Sequence, residues 1–421
     1  MLASSEPLSK DTGMKTKTKP ARNSLPVLRQ ICNLIPRPIF DELCVQYGFD
    51  TRGYSEWSHL VTMLYAHLSR ANSLNDVCDG LRMHAAGLAC VKGATPPSKN
   101  NLSNCNKTRN ADFMEALYWQ TMEFLCRTNA DFGSSKCRKG YLRRFKKAIH
   151  AVDSTTVQLV AKNLGWAKHR KRKAAAKIHM RIGLQGFLPN YAVVKEAATH
   201  DAPMAYEVCA GLQSGEIVVF DKAYLDLKHL ELLDSRGVHW VTRAKDNTQM
   251  EVVRARTTNH PHVVADEEVF FLNESSRALY PQVLRRVTAR IEVDGREQMM
   301  TFLTNNLAWS AWTVAQLYGA RWDIEVFFKE IKQTIQLTDF LGNNANAVRW
   351  QIWAGLLVHL LLRFLAWRSS WGHAFSRIAA VVRSALWQRW DLVALLKSYG
   401  TASPVSGMRF GMKQAVFSGF T

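Results

Sequence analysis

The sequence contains no C-x-x-C pair. Its eight cysteines (Cys32, Cys44, Cys78, Cys90, Cys105, Cys126, Cys137 and Cys209) stand apart from one another. That excludes the common zinc pattern, in which closely spaced thiolates share one ion. The basic N-terminus has no apolar stretch behind it of the kind a secretory signal requires, so the expectation is a cytoplasmic chain with reduced thiols. Acidic residues are scarce: Asp plus Glu total 35 against 55 Lys plus Arg, a formal charge of +20. Such an excess favours a polyanionic partner, most commonly nucleic acid. An acidic membrane surface would be the alternative, but no basic amphipathic helix argues for it. Long apolar runs are also rare. The exception, WQIWAGLLVHLLLRFLAW from Trp350 to Trp367, is barely long enough for a bilayer and carries Gln351, His359 and Arg363. It reads as a buried core helix, and no membrane partner is expected.

A chain of 421 residues has room for two or three domains. Residues 1–25, with Lys10, Lys15, Lys17, Lys19 and Arg22 among Ser, Thr and Pro, read as a flexible basic arm. Residues 26–130 read as helical: Leu60, Leu64 and Leu68 repeat at i+4, and Phe113 to Leu125 suggests another helix. Between them, ATPPSKNNLSNCNKTRN from Ala94 reads as a polar, basic turn. Short helices around such a turn fit a helix-turn-helix reader and a plain helical bundle equally well.

Residues 140–368 change character. AIHAVDSTTVQL is β-branched and carries Asp153 at or near a strand end. After the basic run Lys168 to Lys173, Ile178, Met180, Ile182 and Leu184 alternate with His179 and Arg181. A helix after Asp201 leads to the short apolar strand Ile217–Phe220, with Asp221 at its carboxyl end, where α/β sheets expose functional side chains. Another helix and a strand at Val238 to Thr242 follow, giving the order of a ribonuclease-H-like core. Residues of about 246–305 read as mostly β, with a turn at Asp294–Gly295. Residues 369–421 form a basic C-terminal region.

From Tyr318 the chain reads YGARWDIEVFFKEIKQTIQL. On a single helix, Tyr318, Arg321, Glu325, Lys329 and Lys332 share an arc of roughly 80°. Leu317, Ile324, Phe327, Phe328, Ile331 and Ile335 make the neighbouring apolar stripe. An ordinary solvated face with a Glu325–Lys329 pair would also fit that spacing. The run Y-(2)-R-(3)-E-(6)-K, however, resembles the signature of the bacterial insertion-sequence transposases of the IS-four family, met by Tyr318, Arg321, Glu325 and Lys332. Asp221, Lys222, Ala223 and Tyr224 resemble that family's context for its second acid, and Arg243, Ala244 and Lys245 its Arg-Ala-Lys run. Lys177 and His179, and His200 and Asp201, match its pattern less specifically and receive no catalytic role. IPRPIFDELCVQY and SLNDVCDGLR resemble the N-terminal domain often attached to that family, so residues 26–130 are expected to bind DNA.

The resemblance implies a fold, a site and a chemistry. The fold would be α/β: a ribonuclease-H-like catalytic core with a β-rich insertion, preceded by a helical N-terminal domain. Asp153, Asp221 and Glu325 would be both catalytic and metal-binding. Hard carboxylate oxygens suit magnesium or manganese, and two ions could flank an in-line phosphoryl displacement. Tyr318, Arg321, Lys329, Lys332, Arg243 and Lys245 would contact DNA. The implied partners are duplex DNA with terminal inverted repeats, a target DNA and a second copy of the chain in a synaptic complex, near the bacterial nucleoid. The implied function is cut-and-paste transposition; the alternative is an inactive, DNA-binding descendant.

Overall fold

The computed structural model describes residues 20–49, 53–133, 140–158, 168–169, 173–196, 199–245, 247–293, 295–334 and 344–399. Most of the expected basic arm, Arg170 to Arg172 of the basic run, Asp294, Ile335 and residues 400–421 lie outside these.

Among the described residues, seven α-helices come first: α1 (Val27–Cys32), α2 (Arg37–Gln46), α3 (Glu56–Ser69), α4 (Leu74–Met83), α5 (Ala85–Ala89), α6 (Lys99–Thr108) and α7 (Asp112–Thr128). Serines set several of their starts. Ser55, Ser73 and Ser98 are extended, and their side chains accept the N–H groups of Ser58, Asp76 and Asn101. The stretch after Ala94 is therefore not all turn. Ser98 caps α6, which buries Leu102 and Asn106 one turn apart and leaves Lys99, Asn101 and Lys107 to solvent. Its polarity marks a solvated face, not the absence of a helix.

A mixed sheet follows, formed by β1 (Ile149–Gln158), β2 (Lys168–His169), β3 (Lys173–Gly183), β4 (Leu188–Glu196), β5 (Ile217–Phe220), β6 (His239–Arg243), β7 (Met250–Ala255), β8 (Val263–Phe271), β9 (Leu284–Val293) and β10 (Arg296–Thr304). α8 (Asp201–Cys209), α9 (Leu227–Ser235) and α10 (Glu274–Leu279) are interspersed. β4, β3 and β1 pair antiparallel, then β1, β5 and β6 pair parallel. This is the ribonuclease-H-like core. The β-rich segment does not stand apart from it. β10 pairs antiparallel with β6, and β9, β8 and β7 continue outward, so one ten-stranded sheet results. Without β10, the backbone groups along one side of β6 would be unpaired.

α8 and α9 cover one face of the core, over Val152, Val218, Phe220 and Trp240. The other face, with Ile149, Ala151, Val219 and Val241, lies under α11 (Ala311–Gly319) and α12 (Trp322–Thr334). Both faces are thus covered, and β5 is buried at all its residues. For the same reason His179 and Arg181 are buried alongside Ile178 and Met180; their polarity does not mark a solvent face.

α13 (Ala345–Arg368) is long and apolar enough to cross a membrane, yet it packs against α3, α6, α7, α12 and α14 (Phe375–Ala385) as the core helix the sequence predicts. Asn344 caps it through the Ala347 N–H, and Trp350, Trp353, Leu357 and Leu361 are buried along it. Each such leucine contributes about 1.5–3 kcal/mol. The N-terminal helices share this core with α13. The backbone of Ala21 and Asn23 also bonds to Asp391 and Arg389, just before α15 (Leu392–Tyr399), so this part of the expected arm is anchored.

Candidate active site

Asp153 and Asp221 come together through strand register. The parallel pairing of β1 with β5 ends at Val152 opposite Phe220, and that of β5 with β6 at Phe220 opposite Thr242. The next residue on each strand is Asp153, Asp221 and Arg243, which makes one row across the carboxyl ends of three parallel strands. Asp153 is not at the end of its own strand, because β3 pairs with β1 as far as Gln158. It lies where the parallel pairing ends. Side chains alternate, so Asp153 shares a face with Ala151, and Asp221 with Val219. Both acids therefore point toward α11 and α12. Asp221 also caps the short 3₁₀ turn Lys222–Tyr224, accepting the Ala223 N–H at 3.4 Å.

The Tyr318 signature is not a single helix. α11 ends at Gly319 and α12 begins at Trp322. Between them, Arg321 N–H bonds to Tyr318 and Ile324 N–H to Arg321, three residues back instead of four. This corner aims side chains from both helices at the row of acids. The Tyr318 hydroxyl donates to Asp221 Oδ1 at 3.3 Å. Arg321 donates to Asp153 Oδ2 at 3.0 Å and to Glu325 Oε1 at 2.8 Å, so one guanidinium joins two of the three acids. Glu325 pairs with Arg321, and no Glu325–Lys329 ion pair forms among the described residues.

Burial dominates the electrostatics. It pushes Asp153 up to about 6, with Glu325 and Asp221 adding to the rise, although Arg321 and the Ser154 N–H pull it down. It also pushes Tyr318 up to about 12, while Arg321 works the other way. Arg321 is only 7% exposed and lies over the Tyr318 and Trp322 rings. Of the other expected cations, Arg243 is close enough to influence Tyr318. Lys329 and Lys332 are half-buried on α12, and burial lowers the pKa of Lys332. Lys245 is exposed and donates to the Leu225 carbonyl at 3.3 Å.

The donor chemistry fits a hard divalent cation: carboxylate oxygens from Asp153, Asp221 and Glu325, with no thiolate among them. Among the described residues, no three acidic, imidazole or thiolate groups are drawn close enough to form a finished ligand cage. Arg321 stands between Asp153 and Glu325 instead.

Sheet order and the row of acids define a ribonuclease-H-like protein. Comparison with known proteins narrows the class. Residues 144–361 match the family described as the transposase DDE domain, and residues 23–90 match a family described only as a domain of unknown function. The chain belongs to the DDE transposases of insertion sequences, a family that acts on DNA and uses divalent metal. It is similar to a protein of Sinorhizobium fredii named as a transposase, with 31% identity over 60% of this chain and 70% of that protein. A protein of Geobacillus stearothermophilus, named as a transposase for insertion sequence element IS5377, is 28% identical over 55% of this chain and 60% of its own length. Transposase InsG for insertion sequence element IS4, from Escherichia coli, is 26% identical over 36% of each chain.

Proposed function

We propose that this chain binds the ends of its own insertion sequence and cuts and rejoins DNA there, with Asp153, Asp221 and Glu325 as catalytic residues. The observation that carries the reading is the register row. Two aspartates from neighbouring parallel strands face a helix that brings a glutamate, and nothing in packing alone calls for three carboxylates there, since they repel one another. These acids would hold two magnesium or manganese ions. The bound ions would supply the charge that activates the attacking oxygen and stabilises the leaving one.

The chain's own residues position the DNA. Arg321 presents a planar fork suited to a phosphate, and Tyr318 and Arg243 line the same row. Lys329, Lys332 and Lys245 supply further positive charge for the strand, and the helical residues 26–130 would bind the terminal inverted repeats. Both ends of an element must be processed together and then joined to a target DNA. The reading therefore includes a homodimer in a synaptic complex.

The test uses the full chain, magnesium, and DNA carrying the inverted repeats that flank its gene. Asp153→Ala, Asp221→Ala and Glu325→Ala are each expected to abolish nicking while leaving repeat-specific binding largely intact. Nicking by Glu325→Ala at near the wild-type rate would sink the assignment. A wild-type protein that binds the repeats and never nicks would instead be a DNA-binding descendant.

A further inference from the structure

The main-chain ladder between β1 and β5 stops at Val152 and Phe220, one residue short of the two aspartates. Beyond that point other groups must fix how far apart Asp153 and Asp221 stand. The opposite face of the sheet holds a set of side chains placed to do so. Asp201, the first residue of α8, accepts at Oδ1 from Ser154 Oγ at 2.8 Å, and Lys177 Nζ approaches the same oxygen to 2.9 Å. His179 Nδ1 lies 3.4 Å from that oxygen and 2.9 Å from the Tyr224 hydroxyl. Lys177 also donates to the Thr199 carbonyl at 3.3 Å, which ties the segment before α8 to β3.

The members come from the segments that carry the site. Ser154 follows Asp153, and its N–H donates to Asp153 Oδ1 at 2.8 Å. Tyr224 closes the turn that Asp221 caps. Lys177 and His179 come from β3, with His179 directly opposite Ser154.

The network has a direction. His179 is fully buried and its Nε2 has no partner among the described residues, so the single proton of the neutral ring belongs on Nδ1. Ser154 donates to the Asp201 carboxylate, and the His179 Nδ1–H donates to the Tyr224 hydroxyl beside that same carboxylate. Bonds to a charged acceptor are the stronger ones. Lys177 and the amino end of α8 balance that charge.

We propose that Asp201 is a positioning residue: through Ser154 on one side, and through His179 and Tyr224 on the other, it sets the spacing of Asp153 and Asp221 from behind the sheet. This rests on the reading of those two aspartates as metal ligands. Supporting groups of this kind typically change metal affinity by about 10- to 100-fold when removed.

The experiment titrates manganese into the full-length protein by calorimetry, without DNA, for the wild type, Asp153→Ala, Asp201→Asn, Ser154→Ala and Tyr224→Phe. Binding of flanking-repeat DNA in a chelator and thermal midpoints are followed in parallel. Asp201→Asn is expected to weaken manganese binding about 10-fold or more. Its DNA affinity without metal should match the wild type. If Asp201→Asn does not fold, Ser154→Ala and Tyr224→Phe, each lacking one hydroxyl, carry the test and should each weaken manganese binding. Manganese affinity that stays at the wild-type level while only the thermal midpoint falls would overturn the proposal. A wild type that binds no manganese, or an Asp153→Ala that binds it normally, would overturn the metal-site reading on which it stands.

Discussion

At the scale of single residues, Arg321 has the most to explain. It is buried, forked across Asp153 and Glu325, and packed on two aromatic rings. Lysine is a point charge on a flexible stem and can satisfy one carboxylate at a time. Arg321→Lys is therefore expected to lower the metal-free melting temperature, and Arg321→Ala to lower it further. Each charge-assisted bond lost costs about 1.5–3 kcal/mol. Manganese should restore more stability to Arg321→Ala than to the wild type, because its carboxylates have no internal cation. Calorimetric melts with and without manganese check this; equal metal-induced shifts in the two proteins would count against it. Much of this site is readable residue by residue, since the β-branched stretch around Asp153 and the apolar run before Asp221 already mark both aspartates. A role for Asp201, named in the sequence but given none there, is harder to read. His179 and Arg181 alternate with apolar residues like a solvent face, and only the covering α8 shows that they are buried.

Among elements, the break between α11 and α12 is invisible to periodicity for a definite reason. Leu317, Ile324, Phe327, Phe328 and Ile331 all enter one core whether the path is straight or cornered. The pairing of β10 with β6 is hidden for another reason, because it joins strands far apart in sequence and no local pattern records it. That extension is anchored by a buried pair. Arg285 on β9 donates from Nε and Nη2 to the two Asp266 oxygens on β8, both at 2.7 Å, and its Nη1 reaches the Leu307 carbonyl ahead of α11. Removing one partner of such a pair strands a buried charge. Asp266→Ala is expected to cost about 3–5 kcal/mol in urea unfolding. Asp266→Ala combined with Arg285→Met should cost less than Asp266→Ala alone, because no charge is stranded. If the double variant proves the less stable of the two, the pair contributes through attraction and not through the penalty of breaking it.

For the whole molecule, buried histidines decide how the fold responds to acid. Burial pushes His59 down to about 3, and His150, His179, His229 and His359 down to about 4. In an unfolded chain these rings titrate near 6.5. The unfolded state therefore takes up protons first as the pH drops. The stability these histidines contribute is present in full above about 6.5 and is lost as the pH falls toward 4. Asp153 and Asp323 act in the opposite sense. Burial pushes each up to about 6, so their contribution is present below the ordinary carboxylate range and is lost as the pH rises through 6. With five strongly lowered histidines opposing two strongly raised aspartates, the histidines should prevail. The melting temperature in a chelator is expected to be highest near neutrality and to fall steadily from pH 6.5 to 4.5. His59 supplies an internal control: it packs on Trp350 of α13 and bonds to Asn106 of α6, so it reports on the core shared by the two ends of the chain. His59→Gln keeps a hydrogen-bonding side chain there but cannot take up a proton, and should show a shallower acid slope. A melting temperature that rises on acidification would mean that the two carboxylates, and not the histidines, set the response.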